Sequence, residues 1–157
     1  MLKVSYPQDL KKFENYDLGC SDWFLIDQKL INAFAKLSGD DQWIHVDSDR
    51  ALNEMPEGKT IAHGLLTLCI SPSLGKHKIH IEFLKHTLNY GIDKVRFISP
   101  VKVGSFIRLR SKIAQVTLRD DDTVLVRIER TIEIKGIEKL AMYAETLSLL
   151  YRGETVS

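Results

Sequence analysis

The sequence predicts an α+β fold in which one curved antiparallel sheet wraps around a single buried helix. Three observations carry that reading. After Lys85 the apolar residues recur at every second position, the period of a half-exposed strand. Between Ile61 and Ile70 the chain is apolar nearly all the way round, so the element formed there must be enclosed. Ahead of both, apolar residues recur at helical spacing. A helical half, a strand-rich half and one enclosed helix pack most simply as a sheet laid around that helix.

In chain order, "WFLID" (Trp23 to Asp27) reads as a short strand. Asp27 then caps a helix that runs through Ser38, with Leu30, Ile31, Phe34 and Leu37 on one face and Gly39 as its stop. "DSDRALNE", from Asp47, is a short second helix with an acidic start. "MPEGK" (Met55 to Lys59) is turn chemistry. For the apolar segment the period alone allows strand or helix; Leu65, Leu66 and Leu68 favour helix, and Pro72 is expected to end it. In the second half, Ile107, Leu109 and Ile113 alternate with Arg108, Arg110 and Lys112. Val124, Val126, Ile128, Ile132 and Ile134 alternate with Leu125, Arg127, Glu129, Thr131 and Glu133. Asp120 to Asp122 turn the chain between these two strands, and Gly136 turns it into a last one.

At 157 residues the chain is the size of one domain, 1–157, with an ordinary 44% hydrophobic and 27% charged residues. A net charge of +1 gives no reason to expect nucleic acid or an anionic membrane as partner. Cys20 and Cys69 are far apart and form no metal-type spacing, so both read as free thiols in a reducing compartment. The segment "TIAHGLLTLCI" is about half of what a membrane span needs, and "MLKVSYPQDL" has no apolar run for a signal peptide. The expectation is a cytoplasmic protein.

Chemistry concentrates in "SGDDQWIH" (Ser38 to His45), directly behind the first helix. Gly39 frees the chain to turn, and four residues separate Asp40 from His45, so a tight loop can aim both side chains at one point. A carboxylate and an imidazole sharing one water form an acid–base pair. The plain alternative is a solvated loop with His45 packed beside Trp43. A second element, "TIAHGLL", places His63 and Gly64 at the start of the buried helix, where uncovered N–H groups and the helix dipole favour negative charge. His63 as a satisfied core histidine and Gly64 as a close-packing glycine are the competing readings there.

Together, "FAKLSGDDQWIHVDSDRA" and "TIAHGLLTL" resemble the MaoC-like (R)-specific enoyl-CoA hydratase (hydratase-2) family. The usual family pattern is G-D, one variable residue, Asn-Pro, an aliphatic residue and His, followed downstream by H-G. Asp40, His45, His63 and Gly64 match it, whereas Gln42-Trp43 stands where most members have Asn-Pro. "GCSDWFLIDQ" and "LNYGIDKVRFISPVKVGS" resemble the nodulation-protein-N-like branch, so the resemblance spans about residues 17–150.

The resemblance implies a single hot-dog domain, a homodimer, and reversible hydration of a trans-2-enoyl thioester to an (R)-3-hydroxyacyl thioester. It implies no metal and no redox cofactor, with coenzyme A or an acyl carrier bearing the substrate. Asp40 and His45 would hold the water, one taking its proton and the other supplying C2, with the division between them open. The Gly64 N–H would bind the thioester carbonyl, with His63, Gln42 and Asn89 as possible supporting residues. Arg108, Arg110 and Lys112 fit either phosphate contacts or a solvated strand face. An acyl-CoA thioesterase on the same fold and a non-catalytic acyl-CoA-binding module are the alternative functions.

Overall fold

A computed structural model describes residues 1–154. Strand β1 (Leu2–Val4) leads into a 3-10 turn (Pro7–Phe13), β2 (Asp17–Cys20) and β3 (Phe24–Leu25). Three helices follow, α1 (Gln28–Ser38), α2 (Trp43–Val46) and α3 (Ser48–Glu54), and then α4 (Gly64–Leu74). The strands β4 (Ile79–Ile81), β5 (Leu84–Phe97), β6 (Phe106–Leu118), β7 (Thr123–Ile134) and β8 (Ile137–Arg152) complete the chain. The main sheet has the order β2-β6-β7-β8-β5, with β3 also on β6, and its pairings are antiparallel. β1 and β4 form a separate parallel pair.

Alternation sets the sheet's two faces as expected. Ile107, Leu109, Ile113, Val116, Val124 and Ile132 have no exposure, while the charged positions between them pair across strands. Arg108 donates to Glu133, its register partner, at 2.7 Å, and its guanidinium lies 4.6 Å from the centre of the Trp23 ring. Arg110 pairs with Asp17. Both arginines therefore already have protein partners on that face. The buried side carries α4, which packs on β6, β7 and β8. One apolar cluster joins α1 and α4 to the sheet through Ile31, Leu66, Leu109 and Met142; a second gathers Leu10, Ile113, Val124 and Leu150 around the N-terminal turn.

α1 forms as its sequence dictates. The Asp27 carboxylate accepts from the Leu30 N–H at 2.8 Å, and Gly39, at φ 77°, closes the helix by donating to Ala35 O. Leu37, however, is 84% exposed; the buried stripe continues through Ala35 instead.

The central helix starts at Gly64, and the Ala62 N–H before it is taken by Val101 O in an extended segment. It departs from expectation in two ways. It runs past Pro72. The Gly75 N–H and the Arg130 guanidinium both donate to Ser71 O, which holds the last turn despite the missing proline donor. Finally, it is not covered on every side: Leu65 and Cys69, one turn apart, face outward.

Candidate active site

Gly39 reverses the chain after α1 so that residues 40–42 run into α2, and His45 falls on the buried side of that short helix. Three backbone or amide ties fix the ring. His45 Nδ1 lies 2.7 Å from Ile61 O. A carbonyl can only accept, so Nδ1 carries the proton there and the neutral ring presents its lone pair at Nε2. Gln28 Nε2 donates to His45 O at 2.7 Å, and the Thr60 hydroxyl in turn donates to Gln28 Oε1. Ile61 N–H donates to Ile44 O at 3.0 Å.

Neither Gln28 nor Thr60 was singled out from sequence. They sit 17 residues before and 15 residues after His45, and no local pattern links such positions. The only signal was the amide of Gln28 at the first turn of α1, where many residues are tolerated.

His63 joins this group. Its Nε2 donates to the backbone carbonyl of Asp40 at 2.8 Å, and its ring stacks on His45 with centroids 3.7 Å apart. Phe34 packs on its edge at 5.1 Å. Its Nδ1 is buried without a partner among the described residues. The Asp40 side chain itself is exposed, and one ligand-type atom from each of Asp40, His45 and His63 lies within 4.8 Å of the others. The two motifs thus meet in space.

Gly64 is the first residue of α4. Among the described residues, neither its N–H nor that of Leu65 has an acceptor, so the helix offers free donors at its positive end. A methyl group on Gly64 would lie 2.6–2.9 Å from three ring carbons of Phe97; the glycine is what lets that ring close over the helix start. His45, Gly64, Thr67, Phe97, Pro100 and Ala141 line a cavity of about 250 Å³ at this point. A carboxylate, a lone-pair nitrogen and free backbone donors gathered around one cavity can hold a water beside a polarised carbonyl.

The remaining candidates fall elsewhere. Gln42 precedes α2 as its N-cap but makes no capping bond, and it is exposed. Trp43 occupies the first helical position, the one at which proline is tolerated best. Its ring is half-buried, with the Arg50 guanidinium 4.1 Å from its centre. Asn89, on β5, lines a different cavity beside Cys69 and Pro72, so within this chain it does not meet Asp40 or His45.

Comparison with known proteins places the chain in a family. Residues 13–134 match the family model described as MaoC like domain. The chain is 41% identical over 139 residues to 3-hydroxyacyl-thioester dehydratase Z of Mycobacterium tuberculosis, covering 88% of this chain and 91% of that protein. It is 39% identical over 137 residues to Nodulation protein N of Rhizobium leguminosarum bv. viciae, covering 85% and 84%. Among solved structures, the (R)-hydratase from A. caviae involved in PHA biosynthesis superposes with a TM-score of 0.63 at 24% identity, over 81% of this chain and 89% of that one. The wrapped sheet is therefore a hot-dog fold, and the chain belongs to the MaoC-like dehydratase family of hydro-lyases.

Proposed function

We propose that this protein is an (R)-specific enoyl-thioester hydratase/dehydratase, interconverting a trans-2-enoyl thioester and water with the (R)-3-hydroxyacyl thioester. The observation that carries the reading is that His45, with Asp40 beside it, and Gly64, with its free N–H, border one cavity. The names of the relatives, a 3-hydroxyacyl-thioester dehydratase and an (R)-hydratase, support the substrate class and the stereochemistry.

In hydration, water sits between the Asp40 carboxylate and His45 Nε2. Its oxygen bonds to C3 as its proton passes to one of the two. The tautomer set by Ile61 O makes His45 Nε2 the available base, with Asp40 orienting the water and offsetting the positive charge that develops. The C2–C3 π electrons move toward the thioester carbonyl, whose enolate oxygen receives the Gly64 N–H. Protonation at C2 by the imidazolium completes the addition, and dehydration runs the same steps backwards. The scheme uses side chains and backbone only and calls for no metal or redox cofactor.

We further propose a homodimer joined along β5. This 14-residue strand ends the sheet, with Leu88, Tyr90 and Ile92 about half exposed on it. Long apolar edges are otherwise sites of uncontrolled pairing. Among the described residues no helix is long and apolar enough to cross a membrane.

The test is a spectroscopic assay across enoyl-CoA chain lengths. Loss of the conjugated absorbance with the thioester intact supports the hydratase. Release of free thiol without that loss identifies a thioesterase, and binding without either identifies a non-catalytic module.

A further inference from the structure

Arg130 is a cation without a counter-charge among the described residues. It lies on β7, between Ser111 of β6 and Ala144 of β8, and its side chain points to the inner side of the sheet, where it reaches the last turn of α4. Nε donates to the Thr146 hydroxyl at 3.0 Å and one terminal nitrogen donates to Ser71 O at 3.2 Å. Arg50, Arg108, Arg110 and Arg127 each meet a carboxylate; Arg130 meets none among the described residues. Burial is the one cause that pushes its guanidinium below the ordinary arginine value, with no neighbouring charge acting on it. A guanidinium has five N–H donors and stays protonated. Capping α4 uses one of them and Thr146 another, which leaves the rest of the fork unengaged.

What surrounds that fork is open space. Arg130 lines two cavities, of about 480 Å³ and 210 Å³. The larger is walled by Leu68 and Pro72 of α4, Ile92 of β5 and Leu147 of β8. The same three elements wall the cavity beside His45, through Gly64 and Thr67, Phe97, and Ala141. The two cavities therefore border the same three elements, one toward the start of α4 and the other toward its end. From Gly64 to Ser71 is seven residues, about 10 Å of helix. A second polar group at the far end also lacks a partner: the Ser71 hydroxyl, in a residue only 1% exposed, is buried without a hydrogen bond. Apolar walls leading to an unpaired guanidinium suit a chain that is aliphatic along its length and anionic at its tip. A planar carboxylate matches the arginine fork best.

We propose that the larger cavity at Arg130 is an anion subsite, and that the enzyme takes thioesters whose acyl chain ends in a carboxylate. The inference rests on the hydratase reading for where the thioester lies, but not for the subsite itself.

Two measurements separate them. In the first, enoyl-CoA pairs that differ only in ending with a methyl or a carboxylate are compared at several lengths. The wild type is expected to favour the carboxylate by about ten- to a hundredfold in kcat/KM at one length, the scale of a charge-assisted bond. Arg130→Met, which keeps bulk and removes the charge, is expected to lose that preference while still hydrating methyl-ended substrates. In the second, binding of saturated ω-carboxyacyl-CoA and methyl-ended acyl-CoA pairs of equal length is measured by calorimetry on the unaltered protein, which needs neither turnover nor a variant. A carboxylate preference in binding, with no hydration of any enoyl thioester, would uphold the subsite and remove the hydratase reading. Equal binding and turnover of both ends at every length, or a preference that survives in Arg130→Met, would overturn the subsite.

Discussion

A single methyl group added at Gly64 separates the glycine's packing role from its donor role. In Gly64→Ala the new carbon would lie 2.6–2.9 Å from Phe97 Cγ, Cδ1 and Cδ2. Carbon atoms rest comfortably at about 3.5–4.0 Å, so the ring must move by the better part of an ångström. Cγ is the root of the ring, so the whole side chain must swing. Overpacking of this kind costs about 1–3 kcal/mol. Alanine recovers up to about 1 kcal/mol through helix propensity, and the 47% exposure of Phe97 gives the ring somewhere to go. The net expectation is a loss of roughly 0–2 kcal/mol in a urea unfolding titration. Turnover should fall more steeply, by about tenfold or more, because the displaced ring lines the cavity proposed to hold the thioester carbonyl. Phe97→Ala in the same background should relieve the strain, giving a coupling energy of about 1–3 kcal/mol in a double-mutant cycle. If Gly64→Ala proved as stable and as active as the wild type, with no coupling to Phe97, both the close contact and its catalytic consequence would be refuted.

Four other outcomes follow from the structure. Asp40→Asn and His45→Gln should each lower hydratase turnover by about two to four powers of ten with the unfolding midpoint little changed, and the double variant should be far less damaged than the product of the singles; near-normal rates for either single would remove that residue from the acid–base pair. Gln28→Leu breaks the tie to the His45 carbonyl, so kcat should drop about tenfold with KM nearly constant, and a rise in KM alone would show that Gln28 does not position the ring. Trp43→Ala should cost several-fold in turnover, since the ring and Arg50 brace α2. In a Trp23→Phe background the Trp43 emission should be partly shielded from quenchers, and a fully quenched ring with unchanged catalysis would count against bracing. Finally, Lys94 first, then Tyr143 and Arg127, hold the Glu145 carboxylate below its ordinary value of 4.5. A depressed folded value contributes stability that is complete above the unfolded value and lost as pH falls through the folded one. Unfolding midpoints of Glu145→Gln should therefore decline less than wild type below about pH 4.5, and parallel acid limbs would contradict this.

Local rules made α1, α3, β6, β7 and β8 legible, because a capping aspartate, an αL glycine and a period of two act over a few residues. β1 and β4 were not legible: they are three residues each and exist only by pairing with each other across the chain. The extent of α4 is not legible for the same reason. What holds it beyond Pro72 is a bond from Arg130, 59 residues away in sequence. At the site, the closeness of Asp40 to His45 and the place of Gly64 at the helix start are legible, because the loop spacing and the helix start are local. Gln28 and Thr60 were not, since their contribution is a tertiary chain of hydrogen bonds. Asn89 was drawn in by its motif, and the pleat of β5 sends it to another cavity.

The loop after α1 and the segment entering α4 are tied in both directions. His63 grips the carbonyl of Asp40, while His45 grips the carbonyl of Ile61, whose own N–H returns to Ile44. Neither segment can loosen without releasing the other, so the two behave as one cooperative unit of local opening. Amide exchange at Ile61 and at His45 should then report the same opening event. Mild denaturant should divide the molecules into those with a whole site and those with none, without a graded population of slower enzymes in between.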